Sequence, residues 1–312
     1  MTEPSARNPQ DEDGPATSAD GMIVCDQLVR IYYGEGIEVQ ALQGVDLLIA
    51  DGELTALIGA AGSGKSTLMN ILAGLDTPTA GKVWVAGHNL GGMTAGERLA
   101  YRRSVAGFIW QQTSRNLLPY MTARQNVLLP MRLSSLGRRK RLQRAGLLLD
   151  TLGIAYCADR TPDRMSGGEQ QRAAIATALA NEPKVLLADE PTGELDSSTA
   201  RDVFSALQTA NTELGVTVLV VTHDPAVSTQ VRRTIAIRDG KTSSETIRRA
   251  ATDERGETTL HAREYATLDR AGRVQLPREM TRRLGMRKRV ELQEEPDHIG
   301  VWPDRAADEE QE

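Results

Sequence analysis

A glycine-rich stretch at residues 59–67 has the residue types and spacing of a phosphate-binding loop. It follows an apolar run at residues 54–58, which predicts a buried strand, and precedes an apolar run at residues 68–73, which predicts a helix. Glycines let backbone N–H groups converge on a phosphate chain, and a helix N-terminus adds favourable partial charge. Lys65 can bring a positive charge to the β and γ phosphates, and the Ser66 hydroxyl can bind Mg²⁺. The residues assigned to the nucleotide here are Gly59, Ala60, Ala61, Gly62, Ser63, Gly64, Lys65, Ser66 and Thr67.

Two adjacent carboxylates, Asp189 and Glu190, end a second apolar and strand-like run that begins at Pro183. The first carboxylate suits Mg²⁺, directly or through water, and the second suits a general base that activates the water attacking the γ-phosphate. Paired acids at a strand end are common in solvated positions. Placed downstream of a phosphate-binding loop, they predict hydrolysis of a nucleoside triphosphate.

The stretch from Met165 to Arg172 predicts a helix whose first turn binds an anion. Ser166 and Glu169 have capping-box spacing, so a helix is expected to begin between them. A motif that merely caps a core helix would explain the serine and the glutamate. It would not explain the two glycines, which favour a second anion site at an exposed helix N-terminus. The residues assigned to this site are Ser166, Gly167, Gly168 and Glu169.

Because these three motifs follow one another along the chain in the order phosphate-binding loop, capped glycine motif and paired carboxylates, residues 21–245 resemble the ATP-binding cassette (ABC) ATPases. The resemblance implies that His223 contacts the γ-phosphate and that Gln111 links the nucleotide to a helical subdomain. It also implies that Tyr32 stacks on adenine, although the adjacent Tyr33 leaves the register open by one residue. The catalytic residues implied are Glu190, His223 and Gln111. The metal ligands implied are Ser66, Gln111 and Asp189.

Within this family, the chain is most similar to the lipoprotein-releasing, macrolide-exporting and cell-division cassettes. The similarity lies in residues 68–76, 117–119, 125–127 and 189–193. It implies ATP and Mg²⁺ as ligands and a head-to-tail pair of two copies. It also implies a separate membrane permease with four transmembrane helices and a large outer domain, and hence a place on the cytoplasmic face of the cell membrane.

Composition and periodicity favour an α/β fold with a parallel core sheet. Strand-like runs alternate with helical ones, and residues 216–221 form a continuous, largely β-branched run, as in a strand buried on both faces. No run approaches the roughly 18–20 apolar residues that span a bilayer, and no secretory signal opens the chain. The net charge of −5 gives no overall case for nucleic-acid binding.

Five segments follow from these patterns. Residues 1–20 are predicted to be a disordered tail, 21–245 the ATP-binding domain, 246–262 a linker, 263–303 a small domain, and 304–312 an acidic tail, and one strand is predicted at residues 244–248. The small domain is predicted as strand, turn at residues 269–272, strand, short helix and second hairpin, with Pro277 in the first helical turn and Gly285 as the C-terminal cap. It resembles the swapped-hairpin domain of AbrB/SpoVT-type regulators.

Two functions compete for this small domain. The first is a dimerisation clamp, because about forty residues without a disulfide or metal hardly stabilise themselves alone. The second is DNA binding, which would make the chain a soluble ABC-type regulator. The basic residues available for it are Arg263, Arg270, Arg273, Arg278, Arg282, Arg283, Arg287, Lys288 and Arg289. The net acidic chain and the lack of aromatics among the arginines favour the clamp, with the ATPase acting on a permease.

Overall fold

The computed structural model describes residues 21–34, 36–224, 227, 229–252, 258–268, 272–286 and 289–304. The predicted tail at residues 1–20 lies outside the described residues, as does the predicted acidic tail beyond Asp304. The strands are β1 (Ile23–Gly34), β2 (Ile37–Ile49), β3 (Leu54–Ile58), β4 (Ala80–Val85), β5 (His88–Asn89), β6 (Ala106–Ile109), β7 (Val185–Asp189), β8 (Thr217–Val221), β9 (Arg233–Arg238), β10 (Lys241–Thr252), β11 (Thr258–Ala266), β12 (Val290–Glu294) and β13 (Ile299–Pro303). The helices are α1 (Lys65–Leu72), α2 (Ala95–Ser104), α3 (Ala123–Met131), α4 (Arg138–Thr151), α5 (Gly167–Ala178), α6 (Ser197–Leu214) and α7 (Arg278–Arg283).

A seven-stranded sheet in the order β11-β10-β9-β3-β8-β7-β6 confirms the α/β prediction. The pairs β6–β7, β7–β8, β8–β3 and β3–β9 are parallel. Every residue of β8 is buried, which agrees with its largely β-branched sequence. Because parallel strands end at the same edge, the loop after β3, the acids that end β7 and the histidine after β8 lie at one edge of the sheet.

A second sheet, in the order β2-β1-β4-β5, packs its apolar face together with α1 against one side of the parallel sheet. The other side is covered by α3, α4, α5 and α6. Helix α3 ends at Met131. Pro130 lies in its last turn and has no N–H to donate within the helix. No helix in the described part of the chain is long and apolar enough to cross a bilayer.

The structure corrects the predicted linker at residues 246–262, because strands β10 and β11 extend the sheet through most of this segment. These outer strands are polar, and a polar composition does not by itself distinguish a strand from a linker. Contacts across the strand pair stabilise β10 on β9: Arg233 Nε lies 2.5 Å from Glu245 Oε1, and Arg248 Nη1 donates to Thr234 Oγ1 at 2.9 Å. Such cross-strand pairs stabilise a sheet without apolar side chains.

The chain divides into two compact units, residues 1–265 and 266–312. In the second unit, the predicted hairpin near Pro296 is present as β12 paired with β13. The predicted cap at Gly285 is also present, with φ +68° and its N–H donating to the Arg282 carbonyl. Pro277 immediately precedes α7 and does not lie inside its first turn. The predicted strand after residue 272 is reduced to a single bridge between Leu268 and Val274, and residues 269–271 of the predicted turn lie outside the described part.

Candidate nucleotide-binding site

The loop at residues 59–67 is shaped by close backbone approaches that only glycine allows. Gly64 has φ +101° and precedes the first residue of α1. A Cβ added to Gly64 would lie 2.6 Å from the Ala41 carbonyl oxygen, and one on Gly59 would overlap the Ile237 carbonyl oxygen. No side chain caps the N-terminus of α1. The loop therefore presents an uncapped helix N-terminus, which suits a phosphate group.

Lys65 lies across this loop. Its Nζ donates to the carbonyl oxygens of Gly59 and Ala60, at 2.9 Å each. The Ser63 hydroxyl is buried and has no hydrogen-bond partner among the described residues. A lysine cation and an unpaired hydroxyl donor beside an uncapped helix form a site that fits a polyphosphate.

Ser66 and Asp189 meet at the same edge, as predicted for two ligands of one cation. The Ser66 hydroxyl hydrogen-bonds to the Asp189 carboxylate. Burial raises the pKa of Asp189, and the adjacent Glu190 raises it further, while the Ser66 hydrogen bond and the Lys65 charge oppose this shift. No group of three His, Cys, Asp or Glu side chains suitable for a metal occurs within the described ranges. A hydroxyl and one carboxylate fit Mg²⁺, which usually takes its other ligands from phosphates and water.

The structure brings the three predicted catalytic residues together at one carboxylate oxygen. Glu190 Oε2 accepts a hydrogen bond from Gln111 Nε2 at 3.1 Å and lies 3.2 Å from His223 Nδ1. Glu190 also has a left-handed backbone, with φ +45°, while its N–H donates to the Val221 carbonyl at 2.9 Å. A non-glycine residue in that region is strained and is typical of functional sites. Sequence reasoning missed this backbone feature, which no local residue pattern signals.

The capping box predicted at the start of α5 is present. The Ser166 hydroxyl accepts from the Glu169 N–H at 3.3 Å, and Glu169 Oε2 accepts from the Ser166 N–H at 2.6 Å. Glu169 is buried, with 9% of the residue exposed, and its other carboxylate oxygen accepts from the Tyr156 hydroxyl at 2.7 Å. The Glu169 carboxylate is therefore hydrogen-bonded within the chain, and its assignment to a bound nucleotide stays a prediction. The hydrogen bond from Tyr156 is the main cause that lowers the pKa of Glu169.

The two glycines of α5 have a packing role that sequence reasoning missed. A Cβ on Gly168, which is buried, would lie 2.5 Å from Thr199 Cγ2. A Cβ on Gly167 would lie 3.0 Å from Leu195 Cδ2. These glycines let α5 approach the start of α6, whose N-cap is Asp196. At this helix start, Ser166 and Gly167 remain exposed.

Tyr32 lies near the end of β1 and is 38% exposed, and its hydroxyl donates to Asp76 Oδ2 at 2.7 Å. Tyr33 is 73% exposed. Sequence reasoning did not single out Asp76, which is 44 residues away in the chain.

Together, these features first define a class: a parallel sheet with a phosphate-binding loop after one strand and paired carboxylates at the end of a near neighbour is a P-loop nucleoside triphosphatase. A family profile described as ABC transporter matches residues 42–193. The chain is 44% identical over 210 residues to an uncharacterized ABC transporter ATP-binding protein, MJ1508 of Methanocaldococcus jannaschii, covering 67% of this chain and 92% of that protein. The chain therefore belongs to the ABC transporter family, as an ATP-binding component with the family's ATPase fold.

Other relatives and solved structures agree with this membership. The chain is 45% identical over 217 residues to the macrolide export ATP-binding/permease protein MacB of Syntrophobacter fumaroxidans, covering 69% of this chain and 30% of that protein. It spans about a third or less of the macrolide export relatives that it matches. The dimeric post-hydrolysis structure of the cassette MJ0796, bound to ADP and Pi, is similar with a TM-score of 0.65 and 37% identity, over 72% of this chain and 97% of that one.

Proposed function

We propose that this chain hydrolyses ATP at the edge of its parallel sheet and that closure of a pair of copies drives a separate membrane permease. The observation that supports this most directly is the convergence of Gln111 and His223 on Glu190, next to the Asp189–Ser66 pair. A general base, a polar group that orients it, and a pair of cation ligands in one place are what hydrolysis of a phosphoanhydride needs.

Each residue then has a defined task. Lys65 leaves its two loop carbonyls to bind the β and γ phosphates. Ser66 and Asp189 hold Mg²⁺, which neutralises phosphate charge when it is bound. Gln111 and His223 orient Glu190, which takes a proton from the attacking water. We also propose that Gln111 contacts the metal and that His223 contacts the γ-phosphate. Tyr32 stacks on adenine.

A second copy completes the site. Ser166 and Gly167 are exposed at the N-terminus of α5, where they are available to phosphates bound by another copy. The solved structure of MJ0796 is dimeric. We propose a homodimer in which the α5 start of each copy faces the phosphate-binding loop of the other. The helical subdomain that Gln111 links to the nucleotide would pass the closure of the pair to a permease with four transmembrane helices and a large outer domain, at the cytoplasmic face of the cell membrane.

The C-terminal unit is proposed to be an AbrB-like dimerisation clamp. Its apolar side chains are exposed, including Leu268, Leu292 and Ile299 at 66–68%. Membership of the ABC transporter family favours this role over that of a DNA-binding regulator. Removing residues 266–312 is expected to lower the dimer fraction in the absence of nucleotide, measured by light scattering; an unchanged mass would exclude the clamp.

The proposed function is tested by affinity purification from native membranes with the tagged Glu190→Gln chain, ATP and Mg²⁺. This variant is expected to retain ATP and to hold the closed state, so a permease should co-purify in stoichiometric amount. The matched control is Glu182→Gln, which changes a glutamate that lies before β7, at the opposite end of that strand, and contacts Arg144. A nucleic acid in the eluate with no membrane protein would contradict the transport role.

A further inference from the structure

An ion pair between Arg30 and Asp76 lies beside Tyr32, the residue proposed to stack on the adenine base. Asp76, four residues after α1, receives Arg30 Nε at 2.9 Å on one oxygen and lies 2.8 Å from Arg30 Nη2 on the other. Both side chains are about one-fifth exposed. Two parallel N–H···O contacts fix the relative orientation of a guanidinium and a carboxylate. The Thr77 N–H also donates to Asp76, which further holds the carboxylate in place.

This ion pair holds Tyr32 at two points. The Tyr32 hydroxyl donates to Asp76 Oδ2 at 2.7 Å, and the Arg30 guanidinium lies 4.4 Å from the centre of the Tyr32 ring. Residues two apart on a strand share a face, so Arg30 and Tyr32 reach Asp76 together while Tyr33 points to the other face. The hydroxyl and one ring face of Tyr32 are thus fixed by protein groups, which leaves the remaining exposed part of the ring for a ligand.

The held tyrosine is close to the phosphate-binding loop. Tyr32 pairs with Val39 on β2, and two residues further on, the Ala41 carbonyl approaches Gly64 at the start of α1. The pairing of β1 with β2 shifts by one residue at this point, which leaves Ala41 between two paired positions. Such a bulge redirects the local backbone. The same short piece of β2 therefore connects the tyrosine to the loop.

We propose that Asp76 and Arg30 are positioning residues that set the Tyr32 ring as a preformed wall for the base of the nucleotide. This inference rests on the proposed binding of ATP at residues 59–67, and it assigns the base to Tyr32 and not to Tyr33. A ring already fixed loses little freedom when a base stacks on it, so the nucleotide binds more tightly than it would to a mobile side chain. Neither Asp76 nor Arg30 touches the phosphates in this arrangement.

The test separates binding of the base from binding of the phosphates. Calorimetric titration of the full chain with Mg-ATP and with Mg-tripolyphosphate, which has no base, gives two dissociation constants for each variant. Tyr32→Ala should weaken ATP about 10-fold, the scale of one base–aromatic stack. Asp76→Asn and Arg30→Gln should each weaken ATP binding about 3- to 10-fold, the scale of one ordinary intramolecular hydrogen bond. None of the three should change tripolyphosphate binding.

Two controls address structural side effects. Arg98→Gln removes an arginine that donates to the main-chain oxygen of Asp76 and not to its carboxylate, so it should leave both constants unchanged. Tyr32→Phe keeps the ring and removes the hydroxyl, so the double variant with Asp76→Asn should be no weaker than Asp76→Asn alone. For Asp76→Asn and Arg30→Gln, kcat at saturating ATP should stay within about twofold of the unmodified chain, while KM rises.

The outcomes are distinct. The proposal is supported if Tyr32→Ala, Asp76→Asn and Arg30→Gln all weaken the binding of ATP and leave the binding of tripolyphosphate unchanged. Weakening of both probes by Asp76→Asn would mean that Asp76 supports the loop structurally, which overturns the proposal. ATP binding that responds to Tyr32→Ala but not to the Asp76 and Arg30 variants would also overturn it. No ATP binding at all, or binding unchanged by Lys65→Ala, would instead contradict the proposed function.

Discussion

The nucleotide-binding unit and the C-terminal unit differ in where their apolar side chains lie. In the first unit, Leu57, Phe204 and Leu219 are fully buried in cores on the two sides of the parallel sheet. In the second unit, none of the described residues at 266–304 is buried to that degree, and Ile299 and Trp302 are 68% and 49% exposed. A self-sufficient core can hold a catalytic edge rigidly, whereas a unit without one needs a partner to cover its apolar surface.

The largest expected effect tests whether the chemistry belongs to the first unit alone. Glu190→Gln removes the carboxylate on which Gln111 and His223 converge. Loss of a general base typically costs about 10²–10⁴-fold, so phosphate release should fall by that factor while ATP binding remains. Steady-state phosphate release and equilibrium ATP binding measure the two quantities.

The matched control for this prediction is Glu182→Gln. Glu182 also has a left-handed backbone, with φ +55°, but it precedes the N-terminal end of β7. The rate of ATP hydrolysis by the Glu182→Gln variant should equal that of the unmodified chain. Substantial hydrolysis by Glu190→Gln would exclude Glu190 as the base.

A second prediction compares the two units directly through one large-to-small change in each. Phe204→Ala leaves a cavity in a fully buried position and should lower the free energy of unfolding by about 3–5 kcal/mol. Leu292→Ala changes a side chain that is 67% exposed, and at high dilution it should change the free energy of unfolding by less than about 0.5 kcal/mol. Denaturant unfolding measures both.

Protein concentration sharpens this second prediction. If another copy covers Leu292, the effect of Leu292→Ala should grow as the concentration rises and dimers form. The effect of Phe204→Ala should not depend on concentration. An effect of Leu292→Ala as large as that of Phe204→Ala at high dilution would show that the second unit has a core of its own.

The same difference explains what could be predicted from the sequence. Strands β3 and β8 and the start of α5 were predicted because unbroken apolar runs and the Ser166–Glu169 spacing are local signals. The polar β10 gives a weaker signal: only residues 244–248 were predicted as a strand, whereas β10 spans Lys241–Thr252 and is stabilised by contacts from β9. The contact of Gly168 with Thr199 depends on how two helices pack, and no spacing encodes that.

A third prediction tests the packing beneath the exposed start of α5. Gly168→Ala would place a Cβ 2.5 Å from Thr199 Cγ2 and should cost about 1–3 kcal/mol of stability. Adding Thr199→Ser removes that methyl group but keeps the hydroxyl that donates to Asp196, so it should restore most of the loss.

Gly146→Ala is the matched control, because Gly146 lies inside α4 with no atom within 4 Å of an added Cβ. It should raise stability by about 0.5–1 kcal/mol, as alanine does at an open helical position. Thermal unfolding of these three variants and the unmodified chain measures the changes. A Gly168→Ala chain as stable as Gly146→Ala would show that α5 and α6 do not require the glycine.

The smallest expected effect concerns Asp189, whose burial at the proposed cation site lowers the free energy of unfolding of the first unit. Burial raises the pKa of Asp189 above its ordinary value of 3.8, so the folded chain binds this proton more tightly than the unfolded chain does. The free energy of unfolding therefore falls as the pH rises from the ordinary value through the raised one, and at pH values above the raised pKa the burial of Asp189 destabilises the nucleotide-free chain. Asp189→Asn removes this charge and should raise the unfolding temperature at pH 7 in the absence of Mg²⁺, but not below pH 4. It should also abolish the additional stabilisation that Mg²⁺ gives in the presence of ATP. A lower unfolding temperature for Asp189→Asn at pH 7 without Mg²⁺ would mean that the Ser66 hydrogen bond outweighs burial.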